Sequence, residues 1–252
     1  MTNFAQRPFA TRVFLARTIL TLVVVAVLAT AASSLASAQT FMFNRADFAT
    51  GTGPAVLAVG DFRGKGLMDV VTGNNDTANT VSVLLGKGDG TFAPHVDYPV
   101  GSAPSGIAVG DFNGDGKLDI VVVYGFNDAR VAVLLGNGDG TFKPFQSTVA
   151  GVQGGSIAAG DFNGDGKLDV AVSDNSVGVD VMLGNGDGTF KPPVSYATAA
   201  GPLMVIVADF NADGKLDLAT ANATSETISV LLGNGDGTFH ERQRNLQGCE
   251  GL

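Results

Sequence analysis

An all-β fold, a β-propeller of four blades each made of a four-stranded antiparallel sheet, is predicted by three observations. A nine-residue acidic loop occurs four times, at Asp61–Asp69, Asp111–Asp119, Asp161–Asp169 and Asp209–Asp217. A glycine-rich turn also occurs four times, at Gly86–Phe92, Gly136–Phe142, Gly184–Phe190 and Gly233–Phe239. Short apolar runs rich in β-branched residues flank both motifs, which is strand composition. Successive acidic loops start 50, 50 and 48 residues apart. A fixed period of that size marks a tandem array in which each copy is one supersecondary unit.

Each unit opens with an apolar strand: Ala55 to Val59, Gly106 to Val109, Ser156 to Ala159 and Met204 to Ala208. The acidic loop follows, then a second strand such as Asp119 to Val123, a polar connection that differs in every copy, and a third strand such as Val131 to Leu135. The glycine-rich turn closes the hairpin. Asn-Gly and Asp-Gly supply the positive φ that such turns need. A phosphate cradle would deliver its ligand to a helix N-terminus, and the Lys143-Pro-Phe and Ala93-Pro-His that follow cannot start one. A fourth strand runs through Tyr98 or Tyr196 to a turn at Pro54, Pro104 or Pro202, with Gly154 in the third copy. Four short strands in about 50 residues match a propeller blade.

In the acidic loop Asp-Phe-Asn-Gly-Asp-Gly-Lys-Leu-Asp, positions one, three, five and nine carry side-chain oxygens, and a glycine at position six permits a tight turn. Oxygen donors at this spacing suit a hard cation, and calcium takes six to eight of them in flexible geometry. The expected ligands are Asp111, Asn113, Asp115, the Lys117 carbonyl and Asp119 in the second copy. In the third they are Asp161, Asn163, Asp165, Lys167 and Asp169, and in the fourth Asp209, Asn211, Asp213, Lys215 and Asp217. The first copy places Arg63 and Lys65 at ligand positions, so no ion is expected there. An EF-hand is excluded: its bidentate Glu at position 12 is replaced by Val122, Val172 or Thr220, and strands flank the loop.

These motifs resemble the FG-GAP or VCBS repeat, the blade unit of integrin α-subunit propellers and of many exported bacterial proteins. The resemblance covers Phe41 to Phe239. It implies a propeller used for adhesion or glycan recognition, or as an appendage to enzymes, and an integrin-like ring of seven blades. Four are present, so both a closed four-blade ring and a partial propeller are open, and self-association follows if the ring is incomplete.

At the N-terminus, Arg7, Arg12 and Arg17 precede an uncharged run from Ile19 to Ala32 and then Ala36-Ser37-Ala38, the pattern of a secretory signal peptide over residues 1–38. The run is shorter than a membrane-spanning helix requires. A secreted or periplasmic location with no membrane span after cleavage is therefore expected, with blades over 39–239 and a polar tail over 240–252. Of the 21 aspartates, 15 lie in the two repeated motifs, so the net charge of −9 reflects loops and turns. That sign argues against nucleic acid as a partner. Cys249 is the only cysteine, which rules out an intrachain disulfide.

Catalytic signatures are absent: His95 and His240 are the only histidines, and neither His-Glu-x-x-His nor Gly-x-Ser-x-Gly occurs. The expected function is a calcium-stabilised binding or adhesion module for an extracellular glycan or protein ligand. A structural spacer is the alternative, followed by a propeller-type glycan lyase or hydrolase. Ligand contact is expected in the variable connections, at Tyr124, Phe126 and Arg130, because variable loops on a rigid scaffold commonly carry binding. Phe41 to Ala49 is expected to pair with the strand ending at Leu232, completing the last blade and covering its edge.

Overall fold

The structure, a computed structural model, describes residues 45–76, 79–125, 129–152, 154–176 and 178–241. These form sixteen strands in four antiparallel sheets. The first sheet contains β1 (Pro54–Gly60), β2 (Asp69–Asn74), β3 (Thr80–Leu84) and β4 (Val96–Pro99). The second contains β5 (Pro104–Gly110), β6 (Asp119–Tyr124), β7 (Ala129–Leu134) and β8 (Gln146–Val152). The third contains β9 (Gly154–Gly160), β10 (Asp169–Asp174), β11 (Gly178–Met182) and β12 (Val194–Ala197), and the fourth β13 (Pro202–Ala208), β14 (Asp217–Asn222), β15 (Thr227–Gly233) and β16 (Phe239–Glu241). Strands pair in chain order within every sheet.

Residue type explains the local boundaries. Pro54, Pro104 and Pro202 each begin a strand, where a missing N–H costs the ladder least, and each sits at a register shift. In the two inner sheets, which have a neighbour on both faces, the second strands β6 and β10 are buried along their whole length. The fourth strands β4 and β12 are largely exposed, so backbone pairing rather than side-chain burial fixes them.

The sheets stack face to face through their first strands, β1 on β5, β5 on β9 and β9 on β13. One apolar cluster fills each junction. Phe62, Val71 and Val83 meet Ile120, Val122 and Phe142 in the first. Phe112, Val121 and Val133 meet Ile157, Val170 and Phe190 in the second, and Phe162 and Val181 meet Val205, Leu218 and Phe239 in the third. The outer faces of the first and fourth sheets keep large apolar residues exposed, so the four sheets do not close into a ring. The partial propeller is the architecture present.

One expectation is corrected. The edge of β15 is taken by β16, through the pairs Leu232 with His240 and Gly233 with Phe239, and not by the N-terminal segment. Residues 45–50 form no strand, and 41–44 lie outside the described residues. The alignment of Phe48 with Tyr98 and Tyr196 nevertheless appears in the packing: Phe48 sits edge-on to Phe92 as Tyr98 does to Phe142 and Tyr196 to Phe239. The segment expected to be a signal peptide also lies outside the described residues. Among the described residues no helix is long and apolar enough to cross a membrane.

Candidate functional site

The acidic loops and glycine-rich turns form one joint per blade. The last aspartate of each loop is fully buried, and its Oδ1 accepts a 2.8 Å bond from the first glycine of the turn: Gly86 to Asp69, Gly136 to Asp119, Gly184 to Asp169 and Gly233 to Asp217. Its Oδ2 accepts from the phenylalanine N–H at the second loop position, at 2.9 Å from Phe112, Phe162 and Phe210 and 3.2 Å from Phe62. Both motifs therefore lie at the same end of each sheet, and the variable connections at the other.

The rest of the loop folds around its first residue. Asp111 accepts from the N–H groups of Gly114, Asp115 and Gly116 at 2.7, 3.1 and 2.8 Å. Asn113 Oδ1 accepts from Asp115 N at 2.9 Å, and Asp115 Oδ1 from Lys117 N at 3.0 Å. Asp161, Asn163 and Asp165 repeat these bonds around Lys167, and Asp209, Asn211 and Asp213 repeat most of them around Lys215. Burial pushes the Asp119 and Asp169 carboxyls above the usual range, opposed by their two N–H bonds and reinforced by the charges of the other two aspartates in each loop. In these two loops the negative charge thus converges on the buried aspartate.

The loop at Asp61 answers that charge from within. Arg63 donates through Nη2 to Asp69 Oδ1 at 2.6 Å, through Nε to Asp69 Oδ2 at 3.3 Å, and again through Nη2 to the Gly86 carbonyl at 2.6 Å. Lys65 gives its backbone N–H to Asp61 at 3.0 Å.

The donor set of the other three loops is entirely oxygen and fits a hard cation in kind. Their carboxylates are held by backbone N–H groups, and among the described residues no group of three or more His, Cys, Asp or Glu side chains is arranged to hold a metal ion. In the glycine-rich turns Asp89, Asp139, Asp187 and Asp236 each take the Thr two residues on through both its hydroxyl and its N–H, which holds their carboxyls below the usual range. These aspartates fasten the turn.

The other end differs from expectation at one residue. Tyr124 is 8% exposed and does not offer its ring to solvent. Its hydroxyl bonds Ser147 Oγ at 2.7 Å, its ring meets Phe145 edge-on, and it lies so close over Gly101 that a Cβ there would sit 1.6 Å from the ring. Arg130 is half-buried and engaged, and Phe126 lies outside the described residues.

Sequence reading missed a buried polar latch at this end. Asn74 Nδ2 reaches Ser82 Oγ at 2.8 Å, and Asn222 Nδ2 reaches Ser229 Oγ at 2.9 Å. In the third sheet the same places hold Asp174 and Asp180, both buried. Asp180 bonds the Ser195 hydroxyl through Oδ1, while its Oδ2 has no partner. Burial, and then the Asp174 charge, push the Asp180 carboxyl up. The signal was available, since Asn74, Tyr124, Asp174 and Asn222 share one repeat position at the end of an apolar strand.

Four-stranded antiparallel sheets stacked in chain order define a β-propeller-type repeat protein, here an open one. The chain belongs to the FG-GAP-like repeat family, whose pattern matches residues 61–122, 111–172 and 161–220. No curated protein matches it. Among solved structures it is similar to BBS1N, seen in complex with ARL6DN and soaked with lead, at a TM-score of 0.53 and 12% identity, over 79% of this chain and 58% of BBS1N. This chain therefore spans little more than half of that protein, and at this identity the likeness concerns the fold alone. It is also similar to the Vibrio cholerae biofilm matrix protein Bap1, at 0.44 and 21% identity over 74% of this chain and 27% of Bap1. A functionally unknown protein from Desulfotomaculum acetoxidans gives 0.43 and 10%, over 78% of this chain and 71% of that one.

Proposed function

We propose that the protein is an exported, non-catalytic adhesion or ligand-binding module whose second, third and fourth acidic loops bind structural calcium. The repeat and the propeller-like fold fit such a module, and repeats of this fold are typically non-catalytic. One observation carries the calcium reading: where the loop sequence departs from the oxygen pattern, an internal cation, Arg63, stands against the buried aspartate. Asp119, Asp169 and Asp217 have the same two N–H donors, and among the described residues no arginine or lysine side chain pairs with them. Asp111, Asn113, Asp115, the Lys117 carbonyl and Asp119, with their counterparts in the next two loops, would hold the ion. Calcium there would supply charge neutralisation and cross-link the loop, giving structural stiffness without chemistry.

Calorimetric titration with calcium is expected to show three sites. The double change Arg63→Asn with Lys65→Asp restores the oxygen pattern and is expected to add a fourth. Absence of binding in both proteins overturns the reading.

Export rests on the Arg-rich, apolar and Ala36-Ser37-Ala38 succession. N-terminal sequencing of protein recovered outside the cytoplasm is expected to begin at Gln39. Ligand binding belongs to the end away from the calcium loops, where Asn75, Asp76, Asn175 and Glu226 are exposed on connections that differ in every blade. A glycan array probed with and without calcium tests for an extracellular glycan, and binding by none of its members favours the spacer.

A further inference from the structure

We propose that two copies of this chain pair head to tail through the exposed faces of their first and fourth sheets, forming one closed ring of eight blades. The inference goes beyond the calcium and ligand reading and depends on neither. Its basis is that the molecule shows three times how one sheet face is covered, and leaves at its two ends the two halves of that same junction.

At each internal junction a phenylalanine from the acidic loop of one sheet meets, edge-on, the phenylalanine after the glycine turn of the next. The pairs are Phe62 with Phe142, Phe112 with Phe190 and Phe162 with Phe239, at centroid separations of 5.2, 5.9 and 5.4 Å. The fourth loop phenylalanine, Phe210, is 42% exposed, against 2% for Phe62. The first turn phenylalanine, Phe92, already has Phe48 beside it, as Phe142 has Tyr98, and lacks only the ring from a preceding sheet. Phe210 and Phe92 are thus the two halves of a fourth pair.

The backbone repeats this. Gly188 N donates to the Phe112 carbonyl at 3.0 Å and Gly237 N to the Phe162 carbonyl at 2.9 Å, joining neighbouring sheets. Gly140, Gly188 and Gly237 are buried, whereas Gly90 at the same turn position is exposed. A second copy would bring its Phe210 carbonyl to that N–H.

Around these points the head exposes Leu57 (70%) and Val59 (56%), and the tail exposes Ile206 (51%). The residues matching Ile206 in the first three sheets, on the faces buried against the next sheet, are Ala58, Ala108 and Ala158, so at this position the tail is more apolar than the faces buried inside the chain. One further change occurs on both sides. Inner junctions set Gly60, Gly110 or Gly160 against a leucine of the next sheet, at distances that leave no room for a Cβ. The tail has Ala208 instead, and the head offers Met68, an unbranched side chain that can move aside. Two chains of four blades fall within the range of ring sizes that propellers adopt, and a head-to-tail contact that closes after two copies leaves neither face exposed.

Sedimentation velocity on the full chain at micromolar concentration is expected to show one species of twice the chain mass. Val59→Lys and Ile206→Glu each place a charge on an exposed position, so each variant is expected to fold with the wild-type circular dichroism spectrum, to melt somewhat lower because the stabilisation from pairing is lost, and to sediment at half the wild-type mass. Mixing the two variants sets the lysine of one copy against the glutamate of the other, leaves the second junction wild type, and is expected to restore the pair. A wild-type chain that sediments as a monomer overturns the proposal. So does a variant that stays paired, a mixture that stays apart, or a ladder of larger species in place of a closed pair.

Discussion

The first acidic loop and the second share a frame and a buried aspartate, yet they treat its charge in opposite ways. Asp69 is met by the guanidinium of Arg63, whereas Asp119 is met by two backbone N–H groups and by the further negative charge of Asp111 and Asp115. A carboxylate removed from water needs hydrogen bonds or an opposite charge, and the two loops show that the repeat accepts either supply. One loop carries its cation in the chain. The others, on the reading proposed above, take theirs from solution.

The widest separation between the loops should appear on chelation. With an affinity of roughly 0.1 mM, typical of extracellular modules, about 1 mM calcium stabilises by about 1.4 kcal/mol per site, or about 4 kcal/mol for three. EDTA is expected to lower the melting temperature by several degrees, and Asp115→Ala to remove about a third of that response. An unchanged melting temperature would reduce all four loops to turns.

Arg63→Ala attacks the other side of the comparison. Breaking a buried ion pair commonly costs about 3–5 kcal/mol. Asp69 keeps its two N–H donors from Phe62 and Gly86 when Arg63 is removed, so a smaller loss of about 2 kcal/mol is expected, measured by urea denaturation. The loss should be independent of calcium, and Arg63→Lys should recover only part of it, because a point charge cannot reach Asp69 and the Gly86 carbonyl together.

Asp180 extends the comparison to a buried carboxylate that has neither supply in full. Its burial raises the folded pKa, so no penalty exists below the ordinary carboxylate range. The penalty grows as pH rises through the folded value and is complete above it. Asp180→Asn is expected to stabilise by about 1 kcal/mol at neutral pH, with the gain vanishing below about pH 4. A gain that persisted in acid would point to packing rather than charge.

How much of this was legible in the sequence follows from the range of the interactions. The period, the strand order and the joint of loop and turn depend on residues within one repeat, and the repetition exposed them. Tyr124 was misread because its neighbours Gly101 and Ser147 lie 23 residues away on either side, one in the turn before its sheet and one on β8. The last strand was misread for a different reason. His240 and Glu241 lack apolar alternation, but fourth strands lie at the solvent edge of each sheet and are fixed by backbone pairing, which leaves little trace in residue type. The polar latch needed only the comparison of one position across four copies.

The smallest expected effect concerns the one loop that keeps its siblings' backbone shape with a residue poorly suited to it. Ala212 stands where the other loops have Gly64, Gly114 and Gly164, and it keeps their left-handed backbone at φ 61°. For a residue with a Cβ that conformation costs about 1–2 kcal/mol. Ala212→Gly would relieve this strain but give back about 0.4–1 kcal/mol through the greater freedom of the unfolded chain. The net gain expected is about 0.5 kcal/mol without metal. The calcium affinity of this loop should also rise, because a loop that reaches the binding conformation without strain loses less on closing around the ion. Calorimetry on the wild type should therefore show one weaker site among three, and on Ala212→Gly three alike. Equal affinities in the wild type would mean that the strain is borne equally in the free and bound loop, and would confine its effect to folding.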